Sequence, residues 1–482
     1  MIKGVYWLFG GGMMHVFISL FSSLAIPWGL GYFLIRHYFS SGVLPPWVDA
    51  ALAYALGMGI LTQWMLVLCI LGIPLGLFSI GLPLIGLTVI LALITKTKDQ
   101  ANLKGRLTEE RMHPLGWVMA AYIVYNTGCA LWLSWNTPII EWDAIATAVF
   151  KAKIIFFERS LKYQQNFPHA DYPLHLPFAE AWVAFNLGEW HSRFIKIIFP
   201  ATLVCFLSVY YYFLRQWFSR TWSLFGMTLL VSSLFFMYHA TISYRDLTLT
   251  TYNCTTIILL FLWHRTQSPR ILLLAALFAG LTTFVKLEAK GYLVCYVFLL
   301  WLMVSDQKTR LWEKAKNFLR FCLPAFGIFL LYQMYKFWAH IPVDPLRSRL
   351  DLSWDKLSQI SYIVWVFVEE FLCYSANWNM VWILFAVSFI SYKQLWGHRE
   401  MRLLISSVFS FIGLYFFVAL LMPNYVSSNG TVAPTVLHNT VFSRVVLHFY
   451  PLAIPVIVYS FSLMRFPSGG YSCKDAFQSS GN

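Results

Sequence analysis

Along the chain, apolar runs of about 20 residues alternate with shorter polar segments. That is the length a helix needs to cross a bilayer with its backbone amides bonded internally. Such runs fall at 15–35, 49–70, 72–94, 115–136, 193–214, 222–241, 247–263, 271–285, 290–304, 321–338, 379–392, 403–422 and 444–464. The pattern predicts an all-α polytopic membrane protein with about thirteen transmembrane helices. The stretch 358–376 is apolar but carries Glu369 and Glu370, so it is predicted to be interfacial or re-entrant. The first run, Val16 to Ile35, ends at Arg36 and His37 without a small-residue cleavage site and reads as a retained span.

The connecting segments are of two chemical kinds. One kind is basic: Lys96, Lys98, Lys104, Arg106 and Arg111; Arg215 and Arg220; Arg265 and Arg270; Lys308 to Arg320; Lys393, Arg399 and Arg402. Basic loops stay in the cytoplasm. The alternate segments, 137–192, 244–246, 285–290, 339–378 and 424–443, carry acids, prolines and tryptophans. The alternation therefore predicts that every unusual polar cluster faces away from the cytoplasm.

The longest external segment is 137–192. Phe150, Ile154, Phe157 and Leu161 recur at helical spacing, with Lys151, Glu158 and Lys162 on another face. A second helix is predicted from near Pro177 to near Trp190. Both read as amphipathic helices lying in the membrane interface.

Composition sharpens this picture. Of 482 residues, 59% are hydrophobic and 12% charged, which excludes a single water-soluble core. The net charge of +14 is accounted for by cytoplasmic loops, with no need of nucleic acid. The eight cysteines form no CxxC pair, so neither a zinc site nor a disulfide framework is indicated.

In so poorly charged a chain, charges at the ends of spans are candidates for function. Asp143 follows Trp142 just outside a span and reads either as a helix N-cap or as a general base. Arg245 and Asp246 open a span, where the arginine either neutralises its neighbour or serves a site. Lys286 and Glu288 interrupt an apolar stretch. Arg444 and His448, four apart, share a helix face; the arginine either snorkels to the interface or binds an anion. Lys153 is a further candidate cation. The run His169-x-Asp171-x3-His175, with Tyr172 inside it, supplies metal-ligand types without helical spacing, so a divalent metal is not favoured. Carboxylates and cations on one membrane face suit transfer of a sugar from a lipid phosphate. The phosphate leaves as an anion and needs only cations, while the attacking hydroxyl needs one base.

These residues resemble a known family. Trp142-Asp143-Ala144, Pro168-His169-Ala170-Asp171-Tyr172-Pro173-Leu174, Tyr244-Arg245-Asp246-Leu247, Lys286-Leu287-Glu288 and Ser443-Arg444…His448…Pro451 resemble the polyprenyl-phosphate-sugar-dependent glycosyltransferases of the GT-C fold. That superfamily includes protein O-mannosyltransferases and the lipid A aminoarabinose transferase. The likeness covers roughly 115–465 and implies a module of that fold there, with its large external loop 137–192 catalytic. Residues 1–114 then form an N-terminal extension of about three spans and a basic loop, and 466–482 a polar tail.

The resemblance further implies inverting transfer with no cofactor beyond the donor, Asp143 as base, Asp246 holding the acceptor or orienting the site, and Lys286 and Arg444 binding the lipid phosphate. The partners implied are a polyprenyl-phosphate sugar, an acceptor lipid, glycan or protein, and membrane lipids. The location implied is a bacterial inner membrane, with the site facing the periplasm or exterior. Where many relatives read Lys-Asn-Glu-Gly, this chain has Lys286-Leu287-Glu288-Ala289, which leaves the role of Glu288 open. The competing class is a multispan transporter or flippase, which places charges nearer the bilayer midplane on broken helices.

Overall fold

The computed structural model describes residues 12–40, 44–95, 112–305, 307, 309–343, 354–373, 375–421, 424–426, 432–434 and 441–463. The basic segment 96–111, Lys308 and the tail 464–482 lie outside the described residues. Among the described residues each apolar run predicted above is mainly helical, with a break at Ser233 inside the run 222–241. Among the described residues six helices are long and apolar enough to cross a membrane: Met13–Phe39, Pro46–Ile70, Leu77–Ile94, Phe194–Leu214, Leu311–Trp338 and Arg399–Leu421. A bent pair, Val441–Leu447 with Tyr450–Leu463, adds a seventh if it is one span. The chain is thus a helical, multi-pass membrane protein. A short antiparallel hairpin, Asn424–Val426 with Val432–Pro434, precedes the bent pair.

The first two helices pack through small residues. A Cβ on Gly57 would fall 1.7 Å from the Pro27 carbonyl oxygen, and one on Gly31 would fall 2.0 Å from that of Ala53. Only glycine permits so close an approach of backbones. Together the two helices clasp the helix His175–Leu187. Trp182 donates to the Ser23 carbonyl at 2.9 Å, Ser22 to Asn186 Oδ1 at 3.0 Å, and Thr62 Oγ1 lies 2.9 Å from His175 Nδ1.

This packing corrects two expectations for the external segment. Every residue of His175–Leu187 is buried, so this helix is an internal element and not an interfacial one. The cause is the N-terminal helix pair, which covers the side that would otherwise meet lipid. A π-turn, Ile145–Val149, leads into the preceding helix, Phe150–Glu158. Its side carrying Lys151, expected to be polar surface, is buried together with Ala152 and Ile155, while Phe150 and Phe157 on the expected apolar face are exposed. Those exposed rings still suit a lipid-facing surface.

The final span bends by 55°. Pro451 lacks an amide hydrogen and crowds the carbonyl four residues before it, that of Leu447. The carbonyls released at the break find partners on the helix Arg245–Thr266. Thr250 Oγ1 donates to Leu447 at 3.2 Å, and Asn253 Nδ2 donates to His448 at 2.8 Å. The break sets His448 and the end of Val441–Leu447 against the start of Arg245–Thr266, which builds the site.

Candidate active site

Asp246, in the first turn of Arg245–Thr266, is fully buried and has both carboxylate oxygens occupied. Its Oδ1 accepts from Lys286 Nζ at 2.8 Å and lies 3.0 Å from His448 Nε2. Its Oδ2 accepts from Arg444 Nε at 3.0 Å, and Arg444 Nη2 lies 3.0 Å from the same oxygen in an ion pair. The third nitrogen of that guanidinium, Nη1, holds Asp143 Oδ2. Lys286 also reaches Glu288 Oε1 at 2.7 Å. Six of the residues singled out from the sequence thus form one network drawn from four separate segments.

The two aspartates differ in exposure. The Asp143 side chain is 47% exposed and that of Asp246 is 0% exposed. Among the described residues no group bonds Asp143 Oδ1. Glu141 occupies the N-cap position of the short helix Trp142–Ala144 and makes no cap bond, so Asp143 is not the cap. Arg444 is no snorkelling side chain, since it is held by two carboxylates and lies 4.5 Å from the centre of the Tyr244 ring.

The linker group Lys286 sits between the helices Pro269–Thr283 and Ala289–Ser305. Burial acts to lower its pKa, but Asp246 and Glu288 outweigh burial and hold the ammonium above the ordinary lysine range. Burial likewise acts to raise Glu288, but Lys286 prevails and holds that carboxyl low. Both groups are therefore charged at neutral pH.

Other candidates lie elsewhere. Arg245 does not pair with Asp246; it donates to Thr147 Oγ1 at 2.8 Å and to the Thr147 carbonyl at 2.7 Å, and its guanidinium lies over the Tyr172 ring. Lys153 is exposed. The cation turned inward is Lys151, which donates to the His169 carbonyl and faces Tyr172 from 5.6 Å. The His169 ring stacks on Tyr172 at 5.2 Å. Asp171 is buried and its Oδ1 has no partner among the described residues, and His175 bonds Thr62. Among the described residues no three His, Cys, Asp or Glu side chains converge on a metal position.

Several further groups, without a charge pattern to mark them in the sequence, shape this region. Tyr292 OH lies 2.7 Å from His448 Nδ1 and bonds Tyr415 OH, fixing the imidazole against Asp246. Glu370, from the apolar stretch 358–376, accepts from Trp378 at 2.8 Å and from Ser443 at 2.9 Å. That bond anchors the residue preceding Arg444. Glu180 lies buried in the internal helix and accepts from Ser243. An acid in an otherwise apolar helix was its only signal in the sequence.

Residues 177–333 match the family model described as dolichyl-phosphate-mannose-protein mannosyltransferase. The matched segment contains Asp246, Lys286 and Glu288, while Asp143, Arg444 and His448 fall outside it. No curated protein and no solved structure matches the chain. The family match supports the GT-C glycosyltransferase superfamily as the group to which this membrane protein is related.

Proposed function

We propose that the chain is an inverting glycosyltransferase. It moves a sugar from a polyprenyl-phosphate donor to an acceptor hydroxyl of a lipid, glycan or protein, on the non-cytoplasmic face. The observation that carries this reading is the unbroken ionic chain Asp143–Arg444–Asp246–Lys286 with its one half-exposed carboxylate.

In this mechanism Asp143 takes the proton of the acceptor hydroxyl through its unbonded Oδ1. The acceptor oxygen bonds the anomeric carbon as the bond from that carbon to the phosphate oxygen breaks, on the opposite side of the ring. The phosphate departs as an anion and needs no proton. Arg444 and Lys286 take up the charge that grows on its oxygens. Asp246 acts at one remove, because its two oxygens fix the positions of both cations. Such fixed charges stabilise a transition state without reorganising when it forms.

The cluster holds three carboxylates against two permanent cations, so before substrate arrives its charge is nearly closed. A donor phosphate competes with Asp143 for Arg444 Nη1. Its arrival releases Asp143 at the moment a base is needed. The test uses purified protein sealed in vesicles with a polyprenyl-phosphate sugar. Glycosylated acceptor is the expected product; accumulation of solute in the vesicles with no glycosylated product would instead favour a transporter.

A further inference from the structure

To serve a donor phosphate, Arg444 must release Asp143 without following it. Asp246 holds one edge of the guanidinium, and an aromatic face supplies the other restraint. Arg444 Cζ lies over the Tyr244 ring, 4.5 Å from its centre. A tyrosine face attracts a guanidinium, most strongly where the cation is desolvated. Tyr244 stands in extended conformation at the N-cap of Arg245–Thr266, yet its side chain makes no cap bond. Its ring is therefore left for Arg444.

The ring is itself held from the far side of the site. His239 packs against Tyr244 with ring centres 5.7 Å apart, and His239 Nδ1 lies 2.8 Å from the Phe235 carbonyl oxygen. The Phe235 ring packs on Trp378 at 5.6 Å. Trp378 donates to Glu370 at 2.8 Å, and Glu370 accepts from Ser443 at 2.9 Å. Ser443 precedes Arg444 in the chain. The contacts thus start at the guanidinium and return to the backbone of the same arginine. His239 and Trp378 are each 1% exposed, and so dry and closely packed an interior transmits position.

One group on this path has no use within the protein. Tyr244 is half-buried, and its hydroxyl has no hydrogen-bond partner among the described residues. Tyrosine hydroxyls taken out of water usually find one. Burial first, and then the Asp143 carboxylate, push this hydroxyl up to about 12, so at neutral pH it keeps its proton and is a donor.

We propose that Tyr244 is a substrate-binding residue whose ring keeps Arg444 in place and whose hydroxyl donates to the phosphate of the polyprenyl-phosphate sugar. This rests on the transferase reading above, in which that phosphate displaces Asp143 from Arg444 Nη1. Nη1 is one bond from Cζ, so a phosphate oxygen accepted there lies beside the ring. The phosphate gains negative charge as the sugar leaves, so the hydroxyl bond strengthens towards the transition state and product. Polyprenyl phosphate, left after transfer, is therefore the most sensitive probe.

The test titrates polyprenyl phosphate into the purified full chain in nonionic detergent, read as thermal stabilisation, with uncharged polyprenol as reference. Tyr244→Phe keeps the ring and is expected to bind polyprenyl phosphate about tenfold more weakly than wild type, the loss of one hydrogen bond to a charged group. Tyr244→Leu also removes the ring and is expected to lose roughly a further threefold. The exposed Tyr163→Phe is expected to bind as wild type does, and polyprenol to bind all these proteins alike. Wild-type binding of polyprenyl phosphate by Tyr244→Phe overturns the hydroxyl contact, and wild-type binding by Tyr244→Leu overturns the role of the ring. A deficit that extends equally to polyprenol makes Tyr244 a structural residue and overturns the proposal. The expected order of binding without any sugar transfer supports the phosphate contact and counts against the transferase reading alone.

Discussion

Two clusters of the same residue types share the Arg245–Asp246 dipeptide, and they differ in how their charges are closed. Around Asp246 each cation has a carboxylate within 3.0 Å, and both oxygens of the central acid are used. Around Asp171 and Arg245, by contrast, the buried Asp171 Oδ1, Arg245 Nε and Glu180 Oε2 have no partner among the described residues. The first arrangement is stable as it stands and orients catalytic charge. The second leaves buried polar atoms without partners among the described residues, and such atoms cost free energy. Buried polar groups are normally satisfied, so the two clusters differ in how far their burial is compensated.

Substitution of lysines in the two clusters should therefore differ in cost. Lys286→Met leaves the buried Asp246 short of a partner, and the expected cost is roughly 3–5 kcal/mol of stability. Denaturant unfolding in detergent, alongside transfer activity, measures it. A neutral effect would break the claim that this network is closed.

Glu180 gives the next largest effect, on the order of a few kcal/mol across its titration. Burial first, then the opposing Ser243 bond and Arg245, leave its pKa raised to about 8. The folded state thus holds this proton more tightly than the unfolded state does. The stability it contributes is complete below the ordinary glutamate pKa of about 4.3 and disappears as pH rises through about 8. Thermal unfolding of wild type should weaken over that window, and Glu180→Gln should flatten the dependence.

Smaller effects sharpen the contrast. Thr62→Val removes the bond to His175 that ties the N-terminal helices to the internal helix, an expected loss of about 1–2 kcal/mol. Lys336→Met should be close to neutral, within roughly 1 kcal/mol, because its ammonium lies over the Tyr332 ring and makes no ion pair among the described residues. A loss comparable to that of Lys286→Met would show that the second cluster is closed as well.

Much of the first cluster was legible in the sequence. Asp143, Asp246, Lys286, Glu288, Arg444 and His448 stood out because charge at the end of an apolar run is expensive. What remained hidden had physical causes. The sequence pattern put Lys151 on a polar face and offered Lys153 as a candidate cation, whereas packing against neighbouring segments turns Lys151 inward and leaves Lys153 exposed. Burial of His175–Leu187 depends on helices more than a hundred residues earlier in the chain, which no local periodicity reports. Tyr292 and Tyr415 carried no signal, since tyrosine is ordinary in membrane helices. The span prediction counted apolar runs, whereas Pro269–Thr283 and Ala289–Ser305 are helices too short to meet the length for crossing. Shortness has a use here: the turn between them brings Lys286 to Asp246.

The central claim is that Asp143 is the base of a sugar transfer. Its most direct test compares single-turnover transfer from a polyprenyl-phosphate sugar by purified wild type and Asp143→Asn, with thermal unfolding as a control. Asp143 is half-exposed and its Oδ1 has no partner among the described residues, so unfolding should change little. Transfer should fall by about 10²–10⁴-fold. Wild-type turnover by Asp143→Asn would contradict the account.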